Sequence, residues 1–421
     1  MKLSEVFTAG GIPTFTYNDR PHLELESQLQ ERLAMGNKVI SITGPSKIGK
    51  TVLWTKVIPE NECVFVPGGN IREEKDIWNY ILSALDHHSS WTEEEASEEE
   101  TKQADSLSGG IQASVFPLVK AKADLRNTTT TGEKQTAKTS KSYLVLPSKT
   151  ATDLLVSHGL TLVIDDFHYI DRKIQSDFIR VVKDPVARRG LGVIICAVPH
   201  RDHDALKAEP EMNGRVTQLP IEPWSSDELK EIAEKGFHTL NVSCPPETID
   251  VFIRQSYKSP HLMQEFCSYL CVKNRIFRQQ ATPITLQQPP NYIKFFKEIC
   301  NNSTSKQMYE TLLKGPETGN RKRKRVEFES GMEGDIYLAI MHALAALLDS
   351  NAISTDAVRT KLGDILVPSD VPTKKVVQNT LQKMADIAKE SVPGEPPVDY
   401  QDDVLHVVDP FFSFYLKWCD K

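Results

Sequence analysis

A glycine-containing loop near the N-terminus constrains the fold of this 421-residue chain more than any other feature. Residues 44–51 read Gly-Pro-Ser-Lys-Ile-Gly-Lys-Thr, which matches the phosphate-binding pattern G-x-x-x-x-G-K-[S/T] in full. A β-rich run, 38–43, precedes the loop, and residues 50–57 are compatible with a helix. The glycines let the backbone curl so that its N–H groups face inward, and these dipoles, with the helix N-terminus, bind phosphate. The pattern therefore predicts a nucleotide-binding loop between a strand and a helix.

The chemistry of the loop assigns a role to its last two residues. We expect the whole loop to contact the nucleotide through Gly44, Pro45, Ser46, Lys47, Ile48, Gly49, Lys50 and Thr51. The ammonium group of Lys50 is predicted to bind the β- and γ-phosphate oxygens as a catalytic charge, and the hydroxyl of Thr51 is predicted to bind Mg²⁺.

Two adjacent aspartates supply the acidic half of such a site. The apolar run 160–164 ends in Asp165-Asp166, at the carboxyl end of a predicted buried strand. We assign Asp165 to Mg²⁺, through water, and Asp166 to polarisation of the attacking water. Two alternatives remain open. The roles of the two carboxylates could be exchanged, or the pair could simply end a buried strand without a catalytic role.

A third catalytic candidate follows the apolar run 191–198, which ends before Pro199-His200-Arg201. A guanidinium group binds phosphoryl oxygens in a fork, so Arg201 is predicted to sense the γ-phosphate, with a surface arginine as the alternative. Arg188, Arg189 and Arg215 are further candidates that could act in trans in an oligomer, although each could equally be a solvated charge.

The order of the apolar runs predicts an α/β fold with a parallel sheet. Five short β-rich runs occupy 38–43, 63–66, 160–164, 191–198 and 216–221, and helical segments lie between most of them. Four of the runs are nearly continuous in apolar residues, as expected for strands that are covered on both faces. Residues 87–150 interrupt this alternation with an acidic run, 93–100, and are interpreted as an insertion that is partly a flexible loop and partly a β-hairpin.

The remainder of the chain reads as two further units. We predict a lead-in over 1–36, a P-loop ATPase domain over 37–222, a helical lid over 223–315 and a winged-helix domain over 316–421. A capping-box pattern, Ser225-x-x-Glu228, opens the helical unit, and Ser259-Pro260 opens a later helix in it. Three amphipathic helices followed by a hairpin with an acidic turn at Asp402-Asp403 are typical of a winged helix.

Taken together, these features resemble the STAND class of ATPases and the related origin-recognition-like AAA+ proteins. Residues 17–20, Tyr-Asn-Asp-Arg, resemble the family's short motif before the first helix, and 258–262, Lys-Ser-Pro-His-Leu, resemble its G-x-P lid motif, with Lys258 or Ser259 where glycine is usual. The ending 405–418, with Asp409-Pro410 followed by aromatic residues, is similar to the ending of prokaryotic members. The resemblance covers roughly 12–86 and 155–421, and not the insertion.

The resemblance implies an ATP- and Mg²⁺-dependent switch. It places Tyr17 near the adenine and Pro260 against the nucleotide, and it implies that the winged helix packs on the nucleotide domain and holds a closed state. Typical members add an effector domain and a repeat array, and no internal repeat of 20–50 residues is evident. We therefore expect a homo-oligomer in the ATP state and a separate effector protein, with prokaryotic defence or signalling as the setting. A nucleotide-holding scaffold with negligible hydrolysis is one alternative.

A DNA-associated initiator- or transposition-type ATPase is the other alternative, and charge disfavours it. Residues 331–421 carry eight Lys and Arg against fourteen Asp and Glu, a net charge of −6, and phosphate neutralisation dominates DNA affinity. The basic run 321–325, Arg-Lys-Arg-Lys-Arg, is the exception: it could contact nucleic acid or resemble a nuclear import signal, or be a solvated hinge segment. No aromatic residue interleaves it, so base stacking is not indicated.

Composition sets the remaining limits. The chain has a net charge of −7, which excludes a globally basic surface for nucleic acid. Seven scattered cysteines without a CxxC pair do not indicate a zinc site and favour a reducing, cytoplasmic location. No run approaches about 18 uninterrupted apolar residues, so we expect no membrane span.

Overall fold

The computed structural model of the chain describes residues 1–86, 146–198, 214–300, 305–316, 323–348, 350–391 and 396–418. Its centre is a five-stranded sheet with all neighbouring strands parallel, in the order β2-β3-β4-β1-β5. The strands are β1 (Val39–Thr43), β2 (Cys63–Pro67), β3 (Thr161–Asp165), β4 (Val193–Ala197) and β5 (Val216–Pro220). This confirms the predicted α/β fold, and it places β4 between β1, which precedes the glycine loop, and β3, which ends at Asp165.

Helices cover both faces of the sheet. They are α1 (Leu3–Val6), α2 (Leu25–Met35), α3 (Lys50–Val57), α4 (Glu74–Ala84), α5 (Pro147–His158) and α6 (Arg172–Arg189). Successive side chains of a strand point to opposite faces, so Ile40 and Ile42 belong to one core and Val39 to another. The core that contains Val39 also holds α4, α5 and α6, whereas the opposite core continues into the rest of the chain. Burial on both faces explains the nearly continuous apolar sequences of β1, β3 and β4.

The next part of the chain is a helical layer, α7–α11. Its helices are α7 (Ser226–Thr239), α8 (Pro246–Gln255), α9 (Pro260–Lys273), α10 (Tyr292–Cys300) and α11 (Ser305–Lys314), and two short strands, β6 (Val242–Ser243) and β7 (Ile284–Thr285), accompany them. The predicted caps are present: Ser225 and Glu228 form a capping box at α7, and the Ser259 side chain accepts from the Leu262 N–H at α9.

The last part is the C-terminal unit, α12–α15 with β10–β12. A short hairpin, β8 (Val326–Glu327) and β9 (Glu333–Gly334), precedes it. Its elements are α12 (Ile336–Ala346), β10 (Ala352–Ser354), α13 (Thr355–Ile365), α14 (Lys374–Ser391), β11 (Val398–Gln401), β12 (Val404–Val407) and α15 (Pro410–Trp418). The predicted three helices and hairpin are present, and Asp402 and Asp403 form the turn with φ values of 51° and 63°. The sequence analysis missed β10, which extends the hairpin into a three-stranded antiparallel sheet.

Some expectations need correction or cannot be compared. The predicted insertion extended to residue 150, but α5 already begins at Pro147, since proline suits the first turn of a helix. The acidic run 93–100 and the predicted hairpin lie outside the described residues. Five cysteines are free thiols, whereas Cys300 is disulfide-bonded, which the scattered cysteine pattern did not indicate. None of the described helices combines the length and the apolar character needed to cross a membrane.

Candidate functional site

The glycine loop is held in a compact, inward-curled conformation at the end of β1. Gly49 is the N-cap residue of α3 with φ of 108°, and Lys47 also has a positive φ of 57°. The Lys50 side chain is buried, and its Nζ donates to the Gly44 and Pro45 carbonyl oxygens at 2.8 and 2.9 Å. The ammonium group therefore lies in the concavity of its own loop. Phosphate oxygens bound there would compete with the two carbonyl oxygens for hydrogen bonds from Lys50.

Thr51 and Asp165 meet directly, although they are far apart in sequence. The Thr51 hydroxyl donates to Asp165 Oδ2 at 2.5 Å, and Asp165 is largely buried at the end of β3. The parallel register of β1, β4 and β3 brings their carboxyl ends to one edge of the sheet, which produces this contact. A hydroxyl and a carboxylate in contact are the protein ligands that a phosphate-bound Mg²⁺ uses.

Asp166 lies beside this pair in a strained backbone position. Its φ is 53°, and its N–H donates to Asp165 Oδ1 at 2.9 Å. Burial and the neighbouring Asp165 charge raise the pKa of Asp166 to about 6, and Lys50 and Lys47 offset part of that rise. The backbone of the pair also passes against Gly68, where an added Cβ would lie 2.6 Å from the Asp166 carbonyl oxygen. A carboxylate with a raised pKa beside a second carboxylate is a candidate general base.

These groups line one cavity of about 410 Å³. Its lining includes all of loop residues 46–51, both aspartates, Tyr17 and Pro260. The structure therefore brings together the loop, the acidic strand end and both segments that the resemblance places near the nucleotide. Gly44 and Pro45 are not in the lining, but they accept hydrogen bonds from Lys50 at its edge.

Tyr17 is fixed at the cavity by two neighbours. Its hydroxyl donates to Glu26 Oε1 at 2.5 Å, and the Lys56 ammonium lies 4.7 Å from the ring centroid. Burial, with the Glu26 hydrogen bond and charge, raises the pKa of Tyr17 far above its ordinary value, so the phenol stays protonated. One ring face is thus occupied by a cation, which limits the surface that remains for a stacked base.

The C-terminal unit also reaches the loop. Lys47 Nζ lies 5.2 Å from the Phe411 ring centroid, and the His261 ring packs edge-on against Phe411 at 4.7 Å. Burial, helped by the Lys47 charge, lowers the pKa of His261 to about 4, so the imidazole is neutral near pH 7. Burial raises the pKa of Asp409, two residues before Phe411, and the Lys47 charge opposes that rise. One loop side chain therefore contacts groups from α9 and α15 together.

A buried ion pair links the N-terminal segment to the helical layer. Arg20 Nε lies 2.5 Å from Glu228 Oε1, both side chains are almost fully buried, and the guanidinium also covers the Trp224 ring at 4.9 Å. Burial alone would raise the pKa of Glu228, but hydrogen bonds from Arg20 and Ser225 outweigh it and lower the pKa. The Trp224 indole donates to the Ile48 carbonyl at 2.8 Å, which connects this pair to the loop.

Not every candidate is brought to the site. Arg201, the predicted γ-phosphate sensor, lies outside the described residues, so its role stays a prediction. Arg188 pairs with Asp184 and Arg189 with Asp153, and neither arginine is in the lining of the cavity. The sequence analysis missed Trp224 and Gln264, which line the cavity; Gln264 accepts from the Thr8 N–H and the Thr16 hydroxyl. No local signal marks either residue, because each acts through contacts far away in sequence.

Comparison with known proteins finds solved structures that are similar to this chain to different degrees. A Walker-type ATPase of Pyrococcus abyssi gives a TM-score of 0.51 at 14% identity, over 93% of this chain and 94% of that one. Cdc6p of Pyrobaculum aerophilum gives 0.43 at 12% identity, over 98% and 96%. A STAND protein with a tetratricopeptide repeat sensor from Pyrococcus horikoshii gives 0.35 at 12% identity, over 95% of this chain and 42% of that one. In sequence, no family model and no curated protein matches. The likeness establishes the fold, which is that of P-loop ATPases.

Proposed function

We propose that the chain is an ATP-hydrolysing molecular switch, in which Mg²⁺ and ATP bind in the 410 Å³ cavity. The observation that carries this proposal is the convergence of Lys50, the Thr51–Asp165 pair and Asp166 on one concave space. The space also has the size of a small-molecule site. The division into a P-loop domain over 37–222, a lid over 223–315 and a winged helix over 316–421 belongs to the same proposal.

The residues present fit a magnesium nucleotide. Within the described ranges, no cluster of three or more His, Cys, Asp or Glu side chains could hold a metal ion by itself. This suits Mg²⁺, which is usually bound by one or two protein oxygens together with phosphate and water. Thr51 and Asp165 would hold the ion, and the loop N–H groups and Lys50 would hold the phosphates. When bound, Mg²⁺ supplies positive charge that neutralises the phosphate oxygens.

Hydrolysis in this proposal depends on Asp166. Its carboxylate lies beside Asp165 at the phosphate end of the cavity, where it can orient a water and accept its proton. Lys50 leaves its two loop carbonyls and places its charge on the phosphate oxygens, where negative charge accumulates during transfer. Arg201, which follows β4 in the sequence, remains the proposed sensor of the γ-phosphate.

The switch follows from the contacts of the loop with the other two units. Lys47 contacts Phe411 of α15, and Pro260 and His261 of α9 line the cavity. A ligand shifts a conformational equilibrium only by binding its two states differently, and phosphate groups near Lys47 provide such a difference. We propose that the ATP state changes the position of the lid and the winged helix and promotes homo-oligomerisation or recruitment of a separate effector.

The described part of the basic run does not favour the DNA-associated alternative. Arg323 pairs with Asp335, Lys324 with Asp370 and Arg325 with Glu333, at 2.8–3.1 Å. On α14, Lys374 pairs with Asp356 at 2.8 Å. Cations already paired with carboxylates must give up these partners before they can neutralise phosphates, so the gain on DNA binding is reduced.

The test is turnover of Mg·ATP by the purified full chain and by two variants. Lys50→Ala should lose nucleotide binding and turnover, whereas Asp166→Ala should keep binding and lose turnover by about 10²-fold or more. Lys173→Ala, an exposed cation on α6, is the control and should match the unaltered protein. Equal turnover in all four proteins would overturn the proposal. Tight Mg·ATP binding with no turnover above that of Asp166→Ala would instead establish the nucleotide-holding scaffold.

A further inference from the structure

A second cavity, of about 660 Å³, adjoins the nucleotide cavity and is larger than it. The two share Ser46, Ile48 and Trp224 in their linings, so the tip of the glycine loop and one indole form the wall between them. Lys50, Thr51 and the aspartate pair are absent from the second lining. It is therefore a separate space, to which the chemistry proposed above assigns no role.

Cations are prominent in the lining of this second cavity. Its lining contains three cations, Arg254, Lys258 and Lys417, and no Asp or Glu among the residues that the structure describes. Arg254 and Lys258 are exposed, and within the described ranges neither side chain has an ion pair. Elsewhere in the helical layer, Lys230 pairs with Glu234, Lys235 with Glu231 and Lys273 with Glu298. In a chain of net charge −7, three cations in one lining concentrate positive charge at this cavity.

The rest of the lining suits a small organic anion. Hydroxyl and amide groups of Ser226, Ser350 and Asn351 supply further hydrogen-bond donors, and Trp224 and Tyr257 supply aromatic surface. A mostly apolar or aromatic wall with a few convergent polar and charged groups is the usual composition of a ligand site of this size. Guanidinium and ammonium groups together select phosphate oxygens, by fork geometry and by point charge.

We propose that this cavity is a second ligand site, which binds a phosphorylated small molecule of about nucleotide size through Arg254, Lys258 and Lys417. The lining comes from three parts of the chain: the glycine loop, the starts and ends of helices within 223–259, and the C-terminal unit from Leu348 onward. A ligand there contacts all three together and stabilises the arrangement in which they meet. Binding of this ligand does not depend on the proposed ATPase function. Control of the switch by the ligand does rest on that proposed function.

The test uses inorganic pyrophosphate as the probe and calorimetry on the full chain. The titration is made without nucleotide or Mg²⁺ in the Lys50→Ala chain, which lacks the phosphate-binding charge of the glycine loop, and each cation variant is compared in that background. We expect one pyrophosphate to bind per chain, with an affinity that falls as salt rises. Arg254→Ala and Lys258→Ala should each weaken binding about tenfold or more, as expected for loss of a charge-assisted contact. Both residues are exposed, so the variants should unfold at the temperature of the unaltered protein.

Lys230→Ala is the matched control, because Lys230 is an exposed cation on α7 that does not line the cavity. It should bind pyrophosphate as the Lys50→Ala chain alone does. Absence of heat in the Lys50→Ala chain, or equal affinity when Arg254→Ala, Lys258→Ala and Lys230→Ala are each added to it, would overturn the second site. Failure of Mg·ATP to bind the unaltered protein would count against the proposed function instead and would leave the pyrophosphate comparison unaffected.

Discussion

Replacing Asp166 by asparagine should stabilise the protein in the absence of nucleotide and Mg²⁺. The folded structure disfavours the charged form of this side chain, since burial and the Asp165 charge raise its pKa from 3.8 to about 6. Asparagine has nearly the same shape, tolerates the positive φ of 53° and carries no charge. The substitution therefore removes the unfavourable electrostatic contribution while it leaves the backbone of the site unchanged.

The shift sets the size of the effect. A rise of about two pKa units corresponds to roughly 3 kcal/mol, and partial solvent access reduces this to about 1–3 kcal/mol. The sign follows from linkage: a carboxyl group with a raised folded-state pKa destabilises the protein at pH values above about 6. The cost declines as pH falls below about 6 and vanishes well below 3.8, where the group is protonated in both states. The advantage of Asp166→Asn should thus be full near about pH 7.5 and about half as large near about pH 5.

Scanning calorimetry of the full chain, without nucleotide or metal, measures this difference. We expect the melting temperature of Asp166→Asn to rise by roughly 2–12 °C near neutral pH, using about 2–4 °C per kcal/mol for a unit of this size. Asp177→Asn removes the same charge from an exposed ion pair on α6 and should shift stability by less than about 0.5 kcal/mol. The reasoning is refuted if Asp166→Asn is no more stable than the unaltered protein at neutral pH, or if its advantage is unchanged near about pH 5.

Two further changes test how the site is held. Arg20→Ala should lower the free energy of unfolding by about 3–5 kcal/mol, because it leaves the Glu228 carboxylate buried without its partner; chemical denaturation measures the loss, and adding Glu228→Gln should recover part of it. Gly68→Ala should weaken Mg·ATP binding and stability, because its Cβ would lie 2.6 and 2.7 Å from the carbonyl oxygens of the aspartate pair. Gly69→Ala is the matched control, since its Cβ would approach nothing closer than 3.5 Å, and equal nucleotide affinity in the two alanine variants would contradict this reasoning.

The sequence predicts those parts of the site that are contiguous in the chain. The loop 44–51 and the strand end at Asp165 each combine a local pattern with a local structure, so both could be located without coordinates. The Ser225–Glu228 capping box was likewise evident. The second role of Glu228 was not evident, because its ion-pair partner, Arg20, lies 208 residues away in the sequence. Nothing near Glu228 indicates which distant cation it meets.

The missed elements have a similar cause. Strand β10 has three residues, and it forms because Ile353 pairs with Leu405 across the sheet, not because its own sequence favours a strand. Short strands depend on their partners more than on intrinsic preference. Trp224 is an ordinary apolar residue in the sequence and becomes part of the site only through its contacts with Arg20 and the Ile48 carbonyl. Such roles depend on tertiary contacts that no periodicity encodes.

The packing of α15 limits how the proposed switch can operate. Phe414 lies 5.0 Å from Phe266 between ring centroids, and Trp418 lies 4.8 Å from Phe296, so the last helix is embedded in the aromatic core of the helical layer. Withdrawing it would expose several buried aromatic side chains, at a cost of about 1.5–3 kcal/mol each. A ligand can meet such a cost only through an equal difference in its affinity for the two states. The proposed phosphate contacts near Lys47 alone therefore favour a small rearrangement at Phe411 and His261. A large displacement requires a further source of binding energy, for which the second cavity, between the loop, the helical layer and the C-terminal unit, is suitably placed.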